Sequence, residues 1–315
     1  MHIHIWNSVG ILATISKRSM RTPHCFVRTG EIQLSGFLAG TDHRWLTWSP
    51  WAREALYRLT DAVPNLPDPE IEYFKSGEYG YSLVSNAYCR LGADLSTLIE
   101  SIAAVLHRIR LKTDLLLFDQ LMDRRIDGRT IRSLFAFVRS ALVKLTGDTM
   151  AAIYAPLGAV GGAAQGDFPL HADLYAPSFL FNIFDKVPSD GSGQSVFLPM
   201  STMFSIVNEL PCIPRTVNLR LRKLVTRPSE VDHYEEFYDL LHGEHPWKES
   251  LEDALHDRAL HVPLARGQGY LLHDRHWLHG RERPRGRVQR DRLHRLIFDT
   301  KETLRRRHVT ARRGE

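Results

Sequence analysis

Apolar residues recur at helical spacing through much of the first half of the chain. Ser49 followed by Pro50 suits a helix start, because the hydroxyl can cap free amides and proline tolerates the first turn, and Trp51, Ala55, Leu56 and Leu59 then share one face. Residues 61–70, DAVPNLPDPE, read as a linker. Leu95, Leu98, Ile99, Ile102, Leu106 and Ile109 repeat at helical spacing, as do Ile131, Leu134, Phe135, Val138, Leu142 and Leu145. From about residue 150 the pattern changes to short apolar runs separated by Gly and Pro, which predicts strands in FLFNIFDKV, SVFLPM, TVNLRLRKL, ALHVPLA, GYLLHDRHWLHG and RLHRLIFDT. In TVNLRLRKL, Val217, Leu219 and Leu221 alternate with Asn218, Arg220 and Arg222, the pattern of a half-buried strand. The polar stretch 229–258 has helical composition and reads as an insertion between strands. The expected architecture is a single domain over 1–315, mainly β with flanking helices. It has a helix-rich N-terminal part (about 1–147), a β core (about 148–300) and a basic tail (301–315).

The length of 315 residues is enough to bury a substantial core, and hydrophobic and charged contents of 43% and 24% are those of an ordinary soluble protein. No apolar run approaches the length of a membrane span, so a membrane is not an expected partner. The formal charge of +5 is concentrated in arginines between 281 and 295 and between 305 and 313. It describes local clusters, and a nucleic-acid partner is not expected from it. Cys25, Cys89 and Cys212 are far apart and odd in number, which argues against a disulfide framework and for a reducing, cytoplasmic location. The N-terminal basic residues mimic a transit peptide, but MHIHIW alternates like a strand, with His2 and His4 on its wet face, and is read as folded chain.

Candidate chemistry begins at LHADL. If His171 and Asp173 are extended, side chains two apart leave one face, and an imidazole and a carboxylate converge where a metal ion could sit. His279, followed by Gly280 and Arg281, ends an apolar run; from an antiparallel neighbour it would complete two histidines and a carboxylate, leaving three coordination positions open. Non-haem Fe(II) oxygenases need such a site, since a chelating co-substrate and O₂ must both reach the metal.

The ordered segments HAD, GSGQSVF, WLHGR and RLHRLIFD, over about residues 165–300, resemble the Fe(II)/2-oxoglutarate-dependent oxygenases of the taurine dioxygenase and clavaminate synthase type. The resemblance implies a double-stranded β-helix (jelly roll) core packed against N-terminal α-helices. It implies Fe(II), 2-oxoglutarate and O₂ as metal, co-substrate and oxidant. It matches His171, Asp173 and His279 to the iron ligands, Ser195 to a threonine position, and Arg295 to the arginine that pairs with the far carboxylate of 2-oxoglutarate, with Arg292 beside it. On a regular strand Arg295 and Arg292 leave opposite faces, so both point inward only if a bulge intervenes. Two departures stand out: Asp291 occupies a position where an arginine is common, and His273 and Asp274 stand where an Asp-Asn pair is common.

His276 shares no face with His279 and reads as a neighbour of the site or a surface residue. The tryptophans at 45, 48 and 51 read as packing under helices. Arg283, Arg285, Arg287 and Arg290, with Pro284 and Gly286, read as a solvated connection, and the Gly- and Ala-rich segment 155–167 as a candidate lid. By family likeness the substrate is a small molecule, an amino acid or small peptide-derived natural product, hydroxylated with release of succinate and CO₂. A nucleic-acid demethylase of the same chemistry, suggested by Arg295 and Lys301 six apart, and a non-catalytic binding protein on the same barrel are the alternatives.

Overall fold

The computed structural model describes residues 32–35, 43–48, 57, 74–76, 79–83, 115–119, 130, 150–157, 168–173, 179–187, 192–226, 234–282 and 292–300. The expectations for residues 1–31, for most of the N-terminal helices, for Trp51, for the segment 158–167, for the arginine-rich connection 283–291 and for the tail 301–315 lie outside these residues.

Five strands precede the region where strands were expected: β1 (Ile32–Ser35), β2 (His43–Trp48), β3 (Phe74–Ser76), β4 (Tyr79–Leu83) and β5 (Leu115–Asp119). They are short and lie before or between the long helical patterns, so periodicity does not mark them. Then come β6 (Met150–Leu157), β7 (Phe168–His171), β8 (Phe179–Lys186), β9 (Ser195–Pro199) and four helices: α1 (Met200–Glu209), α2 (Arg215–Thr226), α3 (Tyr234–His242) and α4 (Lys248–Asp257). The described chain ends with β10 (Leu260–Val262), β11 (Gly269–Leu272), β12 (Trp277–Arg281) and β13 (Arg292–Thr300).

Among the described residues two sheets form, one of nine strands in the order β1-β2-β5-β11-β8-β13-β6-β4-β3 and one of four in the order β10-β9-β12-β7. Between β6 and β13 the chain passes repeatedly from one sheet to the other. Pairing there is antiparallel throughout, whereas β2 and β5 run parallel.

Alternation along the strands explains the packing. On β9, Phe197 joins Leu115, Leu180, Phe184, Leu272 and Trp277 in one apolar cluster. Its neighbours Val196 and Leu198 point the other way, into a second cluster formed with helices α1–α4. The small sheet is therefore apolar on both faces, one toward the large sheet and one toward the helices. Each fully buried side chain of the Leu or Phe class contributes about 1.5–3 kcal/mol by leaving water. The helices that cover the small sheet come from residues 200–257.

TVNLRLRKL is helix, not strand. Its buried residues Val217, Leu221, Leu224 and Val225 fall at i, i+4, i+7 and i+8, while Leu219 is 68% exposed. The run satisfies the helical and the alternating pattern together at Val217 and Leu221, and packing on α1 decides between them. Asn218, buried on this helix, is satisfied by Phe204 O at 3.2 Å, Asn208 Oδ1 at 3.3 Å and Arg222 Nε at 2.7 Å. Within the stretch 229–258, α3 and α4 are helical as its composition predicts, but they follow helix α2 and not a strand.

GYLLHDRHWLHG, read as one strand, is two. It leaves the large sheet after Leu272, turns at His273–His276, and enters the small sheet as β12. Among the described residues no helix is long and apolar enough to cross a membrane.

Candidate metal centre

His279 pairs with His171 between the antiparallel strands β12 and β7, and with Phe197 on the other side. Directly opposed residues share a face, so both imidazoles point inward, between the sheets. Asp173, just past β7, leaves the same face as His171, and the ligand atoms of His171, Asp173 and His279 all lie within 4.8 Å of one another. All three residues are buried.

Local backbone features set this geometry. The β12–β7 register shifts between His279 and Arg281, where Phe168 rather than Pro169 meets Arg281. The bulge brings β7 so close that a Cβ on Gly280 would sit 2.6 Å from Phe168 O and 3.0 Å from Leu170 N, so only glycine fits between the two histidine-bearing strands. Pro169 O accepts a hydrogen bond from His171 Nδ1 at 2.9 Å. The carbonyl can only accept, so Nδ1 donates to it, and Nε2 lies on the inner side, 3.3 Å from Asp173 Oδ1. Asp274, fully buried in the turn before β12, accepts the Asp173 main-chain N–H at 3.0 Å and lies 3.8 Å from His279 Nδ1.

His242 on α3 braces the ligand strand from outside. Its Nε2 donates to Leu170 O at 2.8 Å and its Nδ1 meets Glu252 Oε1 on α4 at 3.1 Å.

The electrostatics favour ligation. Burial alone would raise the Asp173 carboxyl, but the Arg295 guanidinium, the His171 hydrogen bond and the two imidazoles outweigh it and hold the group far below the ordinary carboxylate range. Burial, reinforced by the neighbouring His171 and Arg295 charges, pushes His279 well below the ordinary histidine value, so its imidazole is neutral at physiological pH. Both ring nitrogens of His279 are buried and without a hydrogen-bond partner. A neutral imidazole with an orphaned buried nitrogen, a second imidazole whose Nε2 is aimed at the same point and an ionised carboxylate fit a divalent metal ion.

Arg295 on β13 joins the group from the large sheet. Its Nη1 donates to Asp173 Oδ2 at 3.0 Å and its Nε to Asn182 Oδ1 at 3.1 Å. Asn182 on β8 is the register partner of both Arg295 and Tyr270 on β11, which places an arginine, an amide and a phenol in one row across the large sheet. Ser195 is buried on the inner face of β9, opposite Arg281 and two positions from the His279 row. Arg281 donates its Nε to Gly193 O at 3.0 Å. A register irregularity does fall between Arg292 and Leu293, while the Arg292 side chain lies outside the described set.

The structure thus brings His171, Asp173, His279 and Arg295 together and keeps Ser195 on the same face. His276 is exposed and stacks on His273 with ring centroids 4.2 Å apart, away from the triad. Pattern reading missed Asn182 and the role of Asp274. A polar residue in the apolar run FLFNIFDKV was the available signal for the first.

No protein-family model matches the chain, and no curated protein does. Solved structures align with it at low identity. Asparagine oxygenase in complex with Fe(II), 2S,3S-3-hydroxyasparagine and succinate is 10% identical with a TM-score of 0.46, covering 80% of this chain and 92% of its own. The non-heme iron oxygenase OrfP in complex with Fe, succinate and (3S)-hydroxy-L-Arg is 12% identical with a TM-score of 0.45, covering 84% and 96%. OrfP with Fe and alpha-ketoglutaric acid gives 13% and 0.43, covering 83% and 95%. The chain is similar to these non-haem iron oxygenases only distantly, and the site's own geometry bears the weight of assignment.

Proposed function

We propose that the protein is an Fe(II)- and 2-oxoglutarate-dependent oxygenase that hydroxylates a C–H bond of an amino acid or small peptide-derived natural product. Substrate, 2-oxoglutarate and O₂ would give hydroxylated product, succinate and CO₂. The observation that carries the reading is the buried group of His171, Asp173 and His279, with both His279 nitrogens unpartnered and Arg295 at its edge. Strand order supports a jelly-roll core: β6, β13, β8 and β11 are neighbours in one sheet, β7, β12, β9 and β10 in the other, and the metal residues sit at β7 and β12.

Iron held here would supply O₂ activation coupled to oxidative decarboxylation of the co-substrate. The chain's own residues bind and orient. Three protein ligands leave coordination positions for a chelating 2-oxo acid and O₂. Arg295 presents a planar guanidinium suited to a bidentate grip on the far carboxylate, and Asn182 Oδ1 holds its Nε, fixing the plane of that fork. Ser195 offers its hydroxyl on the same face, and Arg292 is a further candidate for the co-substrate, the second arginine position of the resemblance being Asp291 here. Trp277 and Phe197, both buried on the inner face, keep water from the metal side.

Anaerobic titration of the metal-free protein with Fe(II) and then 2-oxoglutarate tests the reading. A visible charge-transfer absorption that needs both, followed by substrate-stimulated succinate on admitting O₂ with an amino-acid panel, is the expected result. Protein that binds neither Fe(II) nor 2-oxoglutarate would overturn it.

A further inference from the structure

A second group of metal-ligating side chains lies on the opposite face of the same small sheet. His261 on β10 pairs with Val196, and Gly280 on β12 pairs with Val196 from the other side. Val196 packs toward the helices, so His261 shares that outer face, and so does Glu282, two residues beyond Gly280. The Glu282 main-chain N–H is tied to Gln194 O at 2.9 Å, which anchors the residue after β12 ends. His256, in the last turn of α4, completes the group. Ligand atoms of His256, His261 and Glu282 lie within 4.8 Å of one another.

The orientation of His261 is that of a ligand. Its Nε2 meets His256 O at 3.1 Å and its Nδ1 meets Glu282 Oε1 at 2.7 Å. The carbonyl accepts from Nε2, and Nδ1 and the carboxylate oxygen are joined by a hydrogen bond. His171 is held in the same way, with a main-chain carbonyl on one ring nitrogen and a carboxylate oxygen beside the other. Metal-bound histidines commonly have one ring N–H held by such a carbonyl. The His256 ring stands against that of His261 at 4.5 Å between centroids and 73° between planes, with one of its ring nitrogens within 4.8 Å of the other ligand atoms.

We propose that His256, His261 and Glu282 form a second, peripheral site for a zinc-type divalent ion, with two imidazoles and one carboxylate as ligands and water in the open fourth position. Two nitrogens and one oxygen suit Zn²⁺. On binding, the proton bridging His261 Nδ1 and Glu282 passes to solvent and the ion takes its place between the same two atoms. The site is structural in kind: it ties the C-terminal end of α4 to β10 and to the end of β12, the strand that carries His279. It owes nothing to the co-substrate reading of the inner site.

Chelator-stripped full-length protein is titrated with Zn²⁺ in competition with a chromophoric chelator, with circular dichroism to establish folding. Two histidines and a carboxylate at the inner triad suit Zn²⁺ as well, so wild type should bind two equivalents and Asp173→Ala one. In the Asp173→Ala background, His261→Ala or Glu282→Gln should remove the remaining equivalent. Thermal stabilisation by Zn²⁺, retained in Asp173→Ala, should vanish with it. The proposal is overturned if Asp173→Ala binds no Zn²⁺ while folded, or if His261→Ala and Glu282→Gln leave its zinc count unchanged. Loss of Zn²⁺ binding at the inner site alone would count against the iron reading and leave this one standing.

Discussion

The inner and outer faces of the small sheet are made by alternate residues of the same strands, but they solve different problems. On β7 and β12, Leu170, Ala172 and Leu278 face the helices and bury aliphatic surface, whereas His171, Asp173 and His279 face the large sheet and bury groups that prefer water. The outer face is stabilising in itself. The inner face costs folding free energy, since two nitrogens of His279 are desolvated without compensation until something binds them. A sheet can carry such a site because its other side is packed well enough to offset it.

That contrast is broken most sharply by a pair of variants. Asp173→Ala should abolish iron binding and turnover with the far-ultraviolet circular dichroism unchanged. Phe237→Ala, on α3 over the outer face, should cost about 3–5 kcal/mol of stability and leave iron per folded molecule unaltered. Metal analysis on folded protein and denaturant melts distinguish the two. If Asp173→Ala retained iron-dependent activity, Asp173 would leave the site.

Arg295→Ala should raise the apparent KM for 2-oxoglutarate by about ten- to a hundredfold, as expected for a charge-assisted contact worth about 1.5–3 kcal/mol. Steady-state kinetics with 2-oxoglutarate varied measure it, and Arg292→Ala should do less. Equal or reversed effects would mean that the β13 face has been assigned wrongly.

Gly280→Ala joins the two faces, because its new Cβ would press on the β7 backbone rather than on a side chain that can move. A loss of about 1–3 kcal/mol, with weaker metal binding, is the expected outcome in melts and titrations.

The smallest effect is that of pH on the metal-free protein. The folded chain holds His279 well below its ordinary value of 6.5, so on acidification below that value the unfolded chain takes up a proton that the folded one refuses. Stability therefore falls as pH drops from about 6.5 toward the lowered value. Asp173, also depressed, contributes stability above the ordinary carboxylate value of 3.8 that is lost only below it, in a separate window. Urea midpoints at pH 8 and 5.5 should differ less in His279→Gln than in wild type.

The inner site was largely legible in the sequence. His171 and Asp173 are two apart, and His279, Gly280 and Arg281 stand together at the end of an apolar run, so local spacing encodes local geometry. Asn182 was not legible, since its meeting with Arg295 depends on the register of two strands 113 residues apart. The α2 segment reads as a strand because an amphipathic helix and an alternating strand both bury Val217 and Leu221, and the exposure of Leu219 and burial of Asn218 separate them. β11 and β12 were fused because apolar character continues on both sides of His273–His276, while the turn is set by hydrogen bonds that composition does not display.

The carbonyl that orients His171 belongs to the main chain of Pro169. No exchange of side chains deletes it, so an alanine scan of every position around the site would pass over one of the groups that aim the His171 ring. Only an altered backbone reaches it: replacing Leu170 by its α-hydroxy acid turns the Pro169 carbonyl into that of an ester, a poorer acceptor, and frees the imidazole to turn while every side chain stays in place.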